Sequence, residues 1–278
     1  MKIQELLELG VERLKENKIE EPIFIARLLL SFILKKDKIY LITNSDKNIG
    51  EIETGKFFEC LDKYINNIPL QYITNSQEFM KLDFFVNENV LIPRADTEIV
   101  VGEAIQIIND NKFSSALDLC TGSGAIAVSI AKYTKSCNII ASDISKKALD
   151  IALKNAISNE VSNKIIFVCS NMFESIQNKF DLIISNPPYI KRNVILGLDE
   201  NVKKEPWLAL DGGEDGLDFY KIIAGNAYKF LNENGYLVLE IGFDQKEDVE
   251  NLLKDNYKDI ICKKDLGGNN RAIICKRR

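Results

Sequence analysis

Asn186-Pro187-Pro188-Tyr189 is the stretch whose residue types and spacing could do chemistry. The Asn186 amide offers a donor and an acceptor, the adjoining backbone carbonyls offer acceptors, and the Tyr189 ring offers a flat face. Together these groups can hold a planar amide or amino group. The nitrogen of such a group is a weak nucleophile because its lone pair is delocalised. Accepting hydrogen bonds from its N–H groups and aiming it at an electrophile helps it react, provided the electrophile is already activated. Pro187 and Pro188 fix their own φ and push each preceding residue out of the α region, so the tetrapeptide is rigid and Asn186 extended. The bland alternative is a proline-rich stop after a strand. That strand is Phe180 to Ser185, apolar, β-branched and bounded by turn residues, and it delivers the tetrapeptide to a sheet edge.

A second signal lies upstream. Ser115 to Leu119 reads as a strand, Cys120-Thr121-Gly122-Ser123-Gly124 as a tight turn, and Ala125 to Tyr133 as a helix rich in small and apolar residues. Strand, glycine turn and helix form a nucleotide-binding βα unit, in which glycines let the backbone approach a ligand and the helix N-terminus leaves N–H groups free. No Gly-Lys-Ser/Thr follows, so it is not a P-loop. The next strand, Asn138 to Ser142, ends in Asp143, some twenty residues after the glycines, where a carboxylate can accept from both ribose hydroxyls. As an alternative, Asp143 caps the helix Ser145 to Ser158. A third strand, Lys164 to Cys169, leads into Ser170-Asn171-Met172-Phe173. Each candidate residue therefore falls at the carboxyl end of a strand, where open α/β sheets bind ligands. A helix from Leu217 to Leu231, a strand from Gly235 to Ile241, a helix from Gln245 to Asp255 and a closing hairpin (Tyr257 to Lys263, Arg271 to Lys276) complete the layer, with the last strand antiparallel.

The elements that must position these residues fill a chain of 278 residues, 46% apolar, enough for one large domain and a smaller one. The chain contains no histidine, which removes His-based triads, His metal sites and His general bases. Six scattered cysteines without Cys-x-x-Cys spacing read as buried free thiols, with no metal site expected. A net charge of −5 argues against a broad phosphate-binding face, and the N-terminus lacks a signal-peptide core, so a cytoplasmic, membrane-free protein is expected.

Residues 1–72 show helical periodicity, with Ile3, Leu6, Leu7, Leu9, Val11 and Leu14 at three- and four-residue steps, a second helix after Pro22, and a third from Ile52 to Asn66. This segment is either a cap that stabilises the main domain or a domain that recognises a partner. Residues 73–92 read as a β-hairpin linker, and 93–278 as the main domain, entered through Ile92-Pro93-Arg94-Ala95-Asp96-Thr97-Glu98. Composition alone assigns Arg94, Asp96 and Glu98 to capping and ion pairing.

The whole chain resembles the bacterial N5-glutamine methyltransferases that modify peptide chain release factors. The resemblance runs through Pro69-Leu70-Gln71-Tyr72-Ile73, Ile92 to Glu98, Asp118 to Ala127, Asn186 to Ile190, and Asp211-Gly212-Gly213-Glu214-Asp215-Gly216-Leu217. It implies an α/β fold: a seven-stranded, Rossmann-like S-adenosylmethionine-dependent methyltransferase sheet behind a small N-terminal helical domain that recognises substrate. It also implies methyl transfer from S-adenosyl-L-methionine to the glutamine amide of a Gly-Gly-Gln motif, with release factors as partners, no direct nucleic-acid contact, no metal, and a monomer. By the match, Asp118, Cys120, Thr121, Gly122, Ser123 and Gly124 line the cofactor, Asp143 its ribose, and Asn171 or Met172 its adenine. Asn186 serves both cofactor and substrate; with the Pro187 carbonyl it holds the glutamine amide, and Pro188 and Tyr189 complete the site. Two positions depart from the family pattern: Cys120 stands where the turn has its first glycine, and Asn171-Met172 stands where an acidic residue and an aromatic one are usual. The competing activity is methylation of the amino group of adenine or guanine in nucleic acid, which needs base flipping and a basic groove.

Overall fold

The computed structural model describes residues 1–278, which divide into two compact units: Met1–Asn75 with Glu200–Lys204, and Ser76–Asp199 with Glu205–Arg278.

The smaller unit is helical: α1 (Ile3–Glu16), α2 (Pro22–Leu34), α3 (Lys38–Thr43), α4 (Glu51–Ile65) and α5 (Leu70–Thr74). The buried stripe of α1 is Ile3, Leu6, Gly10 and Leu14, while Leu9 is exposed. Gly10 takes the central place because Phe57 of α4 fills the space of its missing side chain; a Cβ there would stand 2.7 Å from the Phe57 ring. Pro22 opens α2 as its first residue, where no N–H is needed. Two short helices went unpredicted. In α3 the charged run supplies its own cap, Asp37 accepting from Tyr40 N at 2.7 Å. In α5, Pro69 precedes the single turn and Asn75 ends it in the left-handed region, so the helix runs across residue 72, where the extended linker was expected to begin.

The larger unit opens with the expected hairpin, β1 (Gln77–Phe79) and β2 (Leu82–Phe84), turning through Met80 and Lys81, both at positive φ as a tight hairpin turn requires. Phe79 and Phe84 are buried in the core of this unit, so the hairpin is part of its packing. The hairpin takes up only part of the linker expected over 73–92, and residues 90–92 lie in no strand. Then follow α6 (Thr97–Asn111), β3 (Ser115–Leu119), α7 (Ala125–Tyr133), β4 (Asn138–Asp143), α8 (Lys146–Ser158), β5 (Ile165–Cys169) and β6 (Phe180–Ser185). A loop with two single turns, α9 (Arg192–Ile195) and α10 (Trp207–Leu210), leads to α11 (Asp218–Phe230), β7 (Leu231–Glu240), α12 (Lys246–Leu253), β8 (Tyr257–Lys264) and β9 (Asn270–Arg277).

The seven strands run in the order β5-β4-β3-β6-β7-β9-β8, parallel except for β9, which is inserted antiparallel between β7 and β8. Alternate residues point to opposite faces. Ala116, Leu182, Ile184 and Val238 meet α6 and α7, whereas Leu117, Ile183 and Leu237 meet α11 and α12. The chain leaves β3 toward β4 and later returns to β6 on the other side, so the crevice opens between the carboxyl ends of β3 and β6, the switch point of an open sheet. Leu119 pairs with Ser185, which sets Cys120 and Asn186 side by side at its mouth.

Candidate active site

The glycine turn is held from beneath. Asp118 is fully buried, and its Oδ2 accepts from the Thr121 hydroxyl at 2.6 Å and from Ala127 N, in the first turn of α7, at 3.2 Å. Its Oδ1 has no hydrogen-bond partner. Burial pushes the carboxyl up to about 7, with the Asp143 charge adding to the shift and the Thr121 and Ala127 bonds opposing it. Cys120, Gly122 and Gly124 sit at φ 60°, 55° and 80°. Cys120 thus adopts the left-handed conformation that the usual glycine takes without strain. From the side, Asn155 of α8 donates to the Ser123 carbonyl at 2.8 Å and both donates to and accepts from the Phe85 backbone, tying turn to hairpin. Sequence reasoning missed Asn155; a polar residue on the buried face of α8 was the available signal.

Asp143 ends β4 and faces the same turn. Its Oδ2 accepts from Gly122 N at 2.9 Å and its Oδ1 from Ser145 N at 2.8 Å. Ser145, not Asp143, supplies the side-chain cap of α8, accepting from Ala148 N. Burial raises the Asp143 pKa, opposed by the backbone N–H bonds. Asn171 donates through Nδ2 to Glu174 at 2.8 Å, which leaves its Oδ1 free to accept. Met172 sulfur lies 3.9 Å from Cys120 sulfur, forming a soft, apolar wall from the two positions that depart from the family pattern.

Asn186 stands where β6 ends. Its Nδ2 donates to the Thr97 hydroxyl in the first turn of α6, at 3.4 Å, so the acceptor end of the amide stays uncommitted. Tyr189 donates its hydroxyl to Glu240 Oε1 at 3.3 Å, and its carbonyl accepts from Gln245 at 3.0 Å. Burial and the neighbouring Glu240 carboxyl push the Tyr189 phenol well up. The loop carrying Asp211 to Leu217 lies against the tetrapeptide; a Cβ on Gly212 would stand 2.7 Å from Tyr189 Cα, so this position must be glycine.

A single cleft gathers Cys120, Gly122, Asp143, Asn171, Met172, Asn186 and Pro188, closed over by Leu91, Leu208 and Phe219. Asp118, Thr121, Ser123, Gly124, Pro187 and Tyr189 do not form its wall; Asp118 and Thr121 brace the turn, and Tyr189 points into the packing behind it. Arg94 and Asp96 form ion pairs, as composition suggested: Arg94 with the buried Glu205, whose other oxygen accepts from Ile92 N at 3.0 Å, and Asp96 with Arg271 at 3.2 Å. Glu98 instead accepts from Met80 N at 2.6 Å. Of the six cysteines, all unpaired, Cys60, Cys137 and Cys275 are buried and Cys169 is exposed. No helix is long and apolar enough to cross a membrane.

A seven-stranded sheet of this order, with a glycine turn after β3, an acidic residue ending β4 and Asn-Pro-Pro-Tyr after β6, defines a Rossmann-like methyltransferase. The fold matches the crystal structure of the hMettl16 catalytic domain in complex with MAT2A 3'UTR hairpin 6, with a TM-score of 0.59 over 82% of each chain at 13% identity, a likeness of fold alone. Two family models match in sequence, the PrmC N-terminal domain over residues 5–74 and the methyltransferase small domain over 103–200. A release factor glutamine methyltransferase of Clostridium acetobutylicum is 39% identical over 282 residues, spanning all of this chain and 99% of that one. A second, from Clostridium botulinum, is 38% identical and spans both chains entirely. The chain belongs to the release factor glutamine methyltransferase family.

Proposed function

We propose that this enzyme transfers a methyl group from S-adenosylmethionine to the side-chain amide N5 of the glutamine in the Gly-Gly-Gln motif of peptide chain release factors. The observation that carries the reading is the sharing of one cleft by Asp143 and Asn186, the first suited to a ribose and the second to an amide.

The residues fit the cofactor. Each Asp143 oxygen accepts one backbone N–H and keeps a lone pair for a diol hydroxyl. Space for a Cβ on Gly122 is open, so a ligand can approach that backbone closely. The free Oδ1 of Asn171 can accept from an adenine amino group, and the Cys120–Met172 sulfurs offer a polarizable surface to a ring. When bound, the sulfonium supplies an activated methyl group and keeps the bonding electron pair as that group leaves.

The chain itself supplies alignment. Because Asn186 Nδ2 is engaged by Thr97, Oδ1 is the end that accepts from the glutamine amide, and the Pro187 carbonyl takes the second N–H. With both hydrogens held, the nitrogen lone pair would be aimed at the methyl group that the cofactor supplies, and the nitrogen would shed one proton to water as its new bond to carbon formed. Positioning of this kind supplies most of the acceleration, since no strong base is needed against so good a leaving group. The helical unit at the N-terminus recognises the release factor in this reading, consistent with its match to a family-specific domain.

Labelled S-adenosylmethionine offered with release factor, its Gly-Gly-Gln→Gly-Gly-Ala variant and duplex DNA tests the proposal. Label on the wild-type factor alone is expected, and Asn186→Ala should abolish it while cofactor binding persists. Label on DNA and none on protein would overturn the substrate assignment.

A further inference from the structure

Glu240 is a carboxylate where the sheet calls for a hydrophobic side chain. It ends β7 after Val238 and Leu239 and before Ile241, all buried, and it is itself 1% exposed. β6 and β7 run parallel with Ser185 opposite Leu239, so one residue further along Asn186 and Glu240 lie side by side. Oε1 accepts from the Tyr189 hydroxyl at 3.3 Å, while Oε2 has no hydrogen-bond partner. Burial, helped by the Asp96 charge, pushes the carboxyl up to about 7, against the Thr97 hydroxyl, the Arg271 guanidinium and the Tyr189 hydroxyl, which are close enough to favour its charged form. A buried carboxyl with an orphan oxygen is costly to fold around. Something other than stability must account for its place.

We propose that Glu240 is a positioning residue for methyl transfer, acting on Tyr189 directly and on Asn186 through Thr97. The proposal rests on the assignment of Asn186 to the amide-binding site and deepens it. Glu240 is absent from the cleft wall, so it does not touch substrate or cofactor. Its two neighbours, Tyr189 and Thr97, stand directly behind the site, and each presents a hydroxyl on the Glu240 side. The bond from the Tyr189 hydroxyl to Oε1 anchors the far end of that side chain and so its χ1.

Thr97 is the relay. A hydroxyl has one proton to give and two lone pairs. With Asn186 Nδ2 donating into one lone pair at 3.4 Å, the Thr97 proton is available to Glu240. That direction of donation sorts the Asn186 amide: its N–H end faces Thr97 and its carbonyl end faces the cleft. Without Glu240 the hydroxyl proton has no acceptor on that side, and it can turn toward Asn186, favouring the flipped amide that presents a donor to the substrate's own donors. Two groups hold the backbone that carries the carboxyl: the Tyr220 hydroxyl donates to the Glu240 carbonyl at 2.9 Å, and Arg271, anchored by Asp265 at 3.0 Å, donates to the next carbonyl, Ile241, at 3.3 Å.

Two series of variants test this. Glu240→Leu and Thr97→Val remove the acceptor and the relay at nearly constant volume, while Glu240→Gln and Thr97→Ser retain them. With release factor as substrate, the first pair should lower kcat by roughly 10- to 100-fold, the scale expected for loss of alignment at the reacting atom, with KM for S-adenosylmethionine little changed. The second pair should recover most of kcat. If Glu240→Leu does not fold, Thr97→Val and Thr97→Ser decide the matter. Equal kcat per folded molecule in all four variants, with only thermal stability altered, would assign Glu240 to packing and overturn the proposal; so would a Glu240→Gln enzyme as slow as Glu240→Leu.

A readout without turnover separates this from the substrate assignment. The Asn186 side-chain NH2 resonance, identified by its loss in Asn186→Ala, should shift and exchange faster with solvent in Thr97→Val and Glu240→Leu than in the wild type. An unchanged resonance refutes the relay even if release factor is methylated. A changed resonance in an enzyme that labels no release factor upholds the relay and refutes the substrate.

Discussion

Gly122 and Gly124 share a turn and a positive φ but face different neighbours, so alanine at each should fail in a different way. At Gly124, φ is 80° and a Cβ would stand 2.9 Å from Ala152 Cβ and 3.1 Å from Ala152 Cα, inside α8. The left-handed conformation costs an L-residue about 1–2 kcal/mol, and forcing a methyl group into packed backbone costs about 1–3 more. The smaller conformational entropy of the unfolded alanine chain returns about 0.4–1 kcal/mol, leaving a net loss of about 1–5 kcal/mol. For a chain of this size that lowers Tm by roughly 2–9 °C. At Gly122, φ is 55° and nothing lies within 4 Å, so only the backbone cost applies and the new methyl projects into the cleft. Gly122→Ala should therefore lose about 1 kcal/mol of stability or less, and lose cofactor affinity instead. Thermal denaturation and calorimetric titration with S-adenosylmethionine on both variants measure the two effects. Ala152→Gly should rescue part of the Gly124→Ala loss, with a coupling of about 1 kcal/mol in a double-mutant cycle, because it removes the Cβ contact and leaves the φ strain. Strict additivity, or equal loss of Tm at the two glycines, would refute the reasoning.

Two further outcomes follow from the same geometry. Asp118 is raised from 3.8 to about 7, so between those values it keeps its proton when folded and loses it when unfolded. Its contribution is therefore complete below the lower value and falls as pH rises through the upper one, by about 1.4 kcal/mol per pH unit in between; Asp118→Asn should flatten that slope in urea titrations at pH 4.5 and 6.5, and parallel slopes would contradict it. Removing residues 1–72 should weaken release-factor binding more than S-adenosylmethionine binding in paired titrations, whereas equal loss of both would make the helical unit a structural cap.

The sequence by itself determined the parts of this protein that depend on near neighbours along the chain. β3, α7 and β6 fall on the residues expected for them, because an apolar run, a glycine turn and a proline stop are local signals read within a few residues. The same is true of the glycine turn, of Asp143 and of Asn186, each at a strand's carboxyl end, and parallel pairing then brings them to one cleft. Short helices escaped: α3 and α5 span only 6 and 5 residues, too few for a period to show. What only the tertiary structure decided is the support behind the site. Arg94 meets Glu205 across 111 residues, Asn155 meets Phe85 across 70, and Asn186 meets Thr97 across 89. Glu240 lies inside the strand expected from Gly235 to Ile241, and nothing within ten residues of it marks its partners. A hydrogen bond between side chains leaves no periodicity in sequence, because its two ends are brought together by the packing of whole strands and helices.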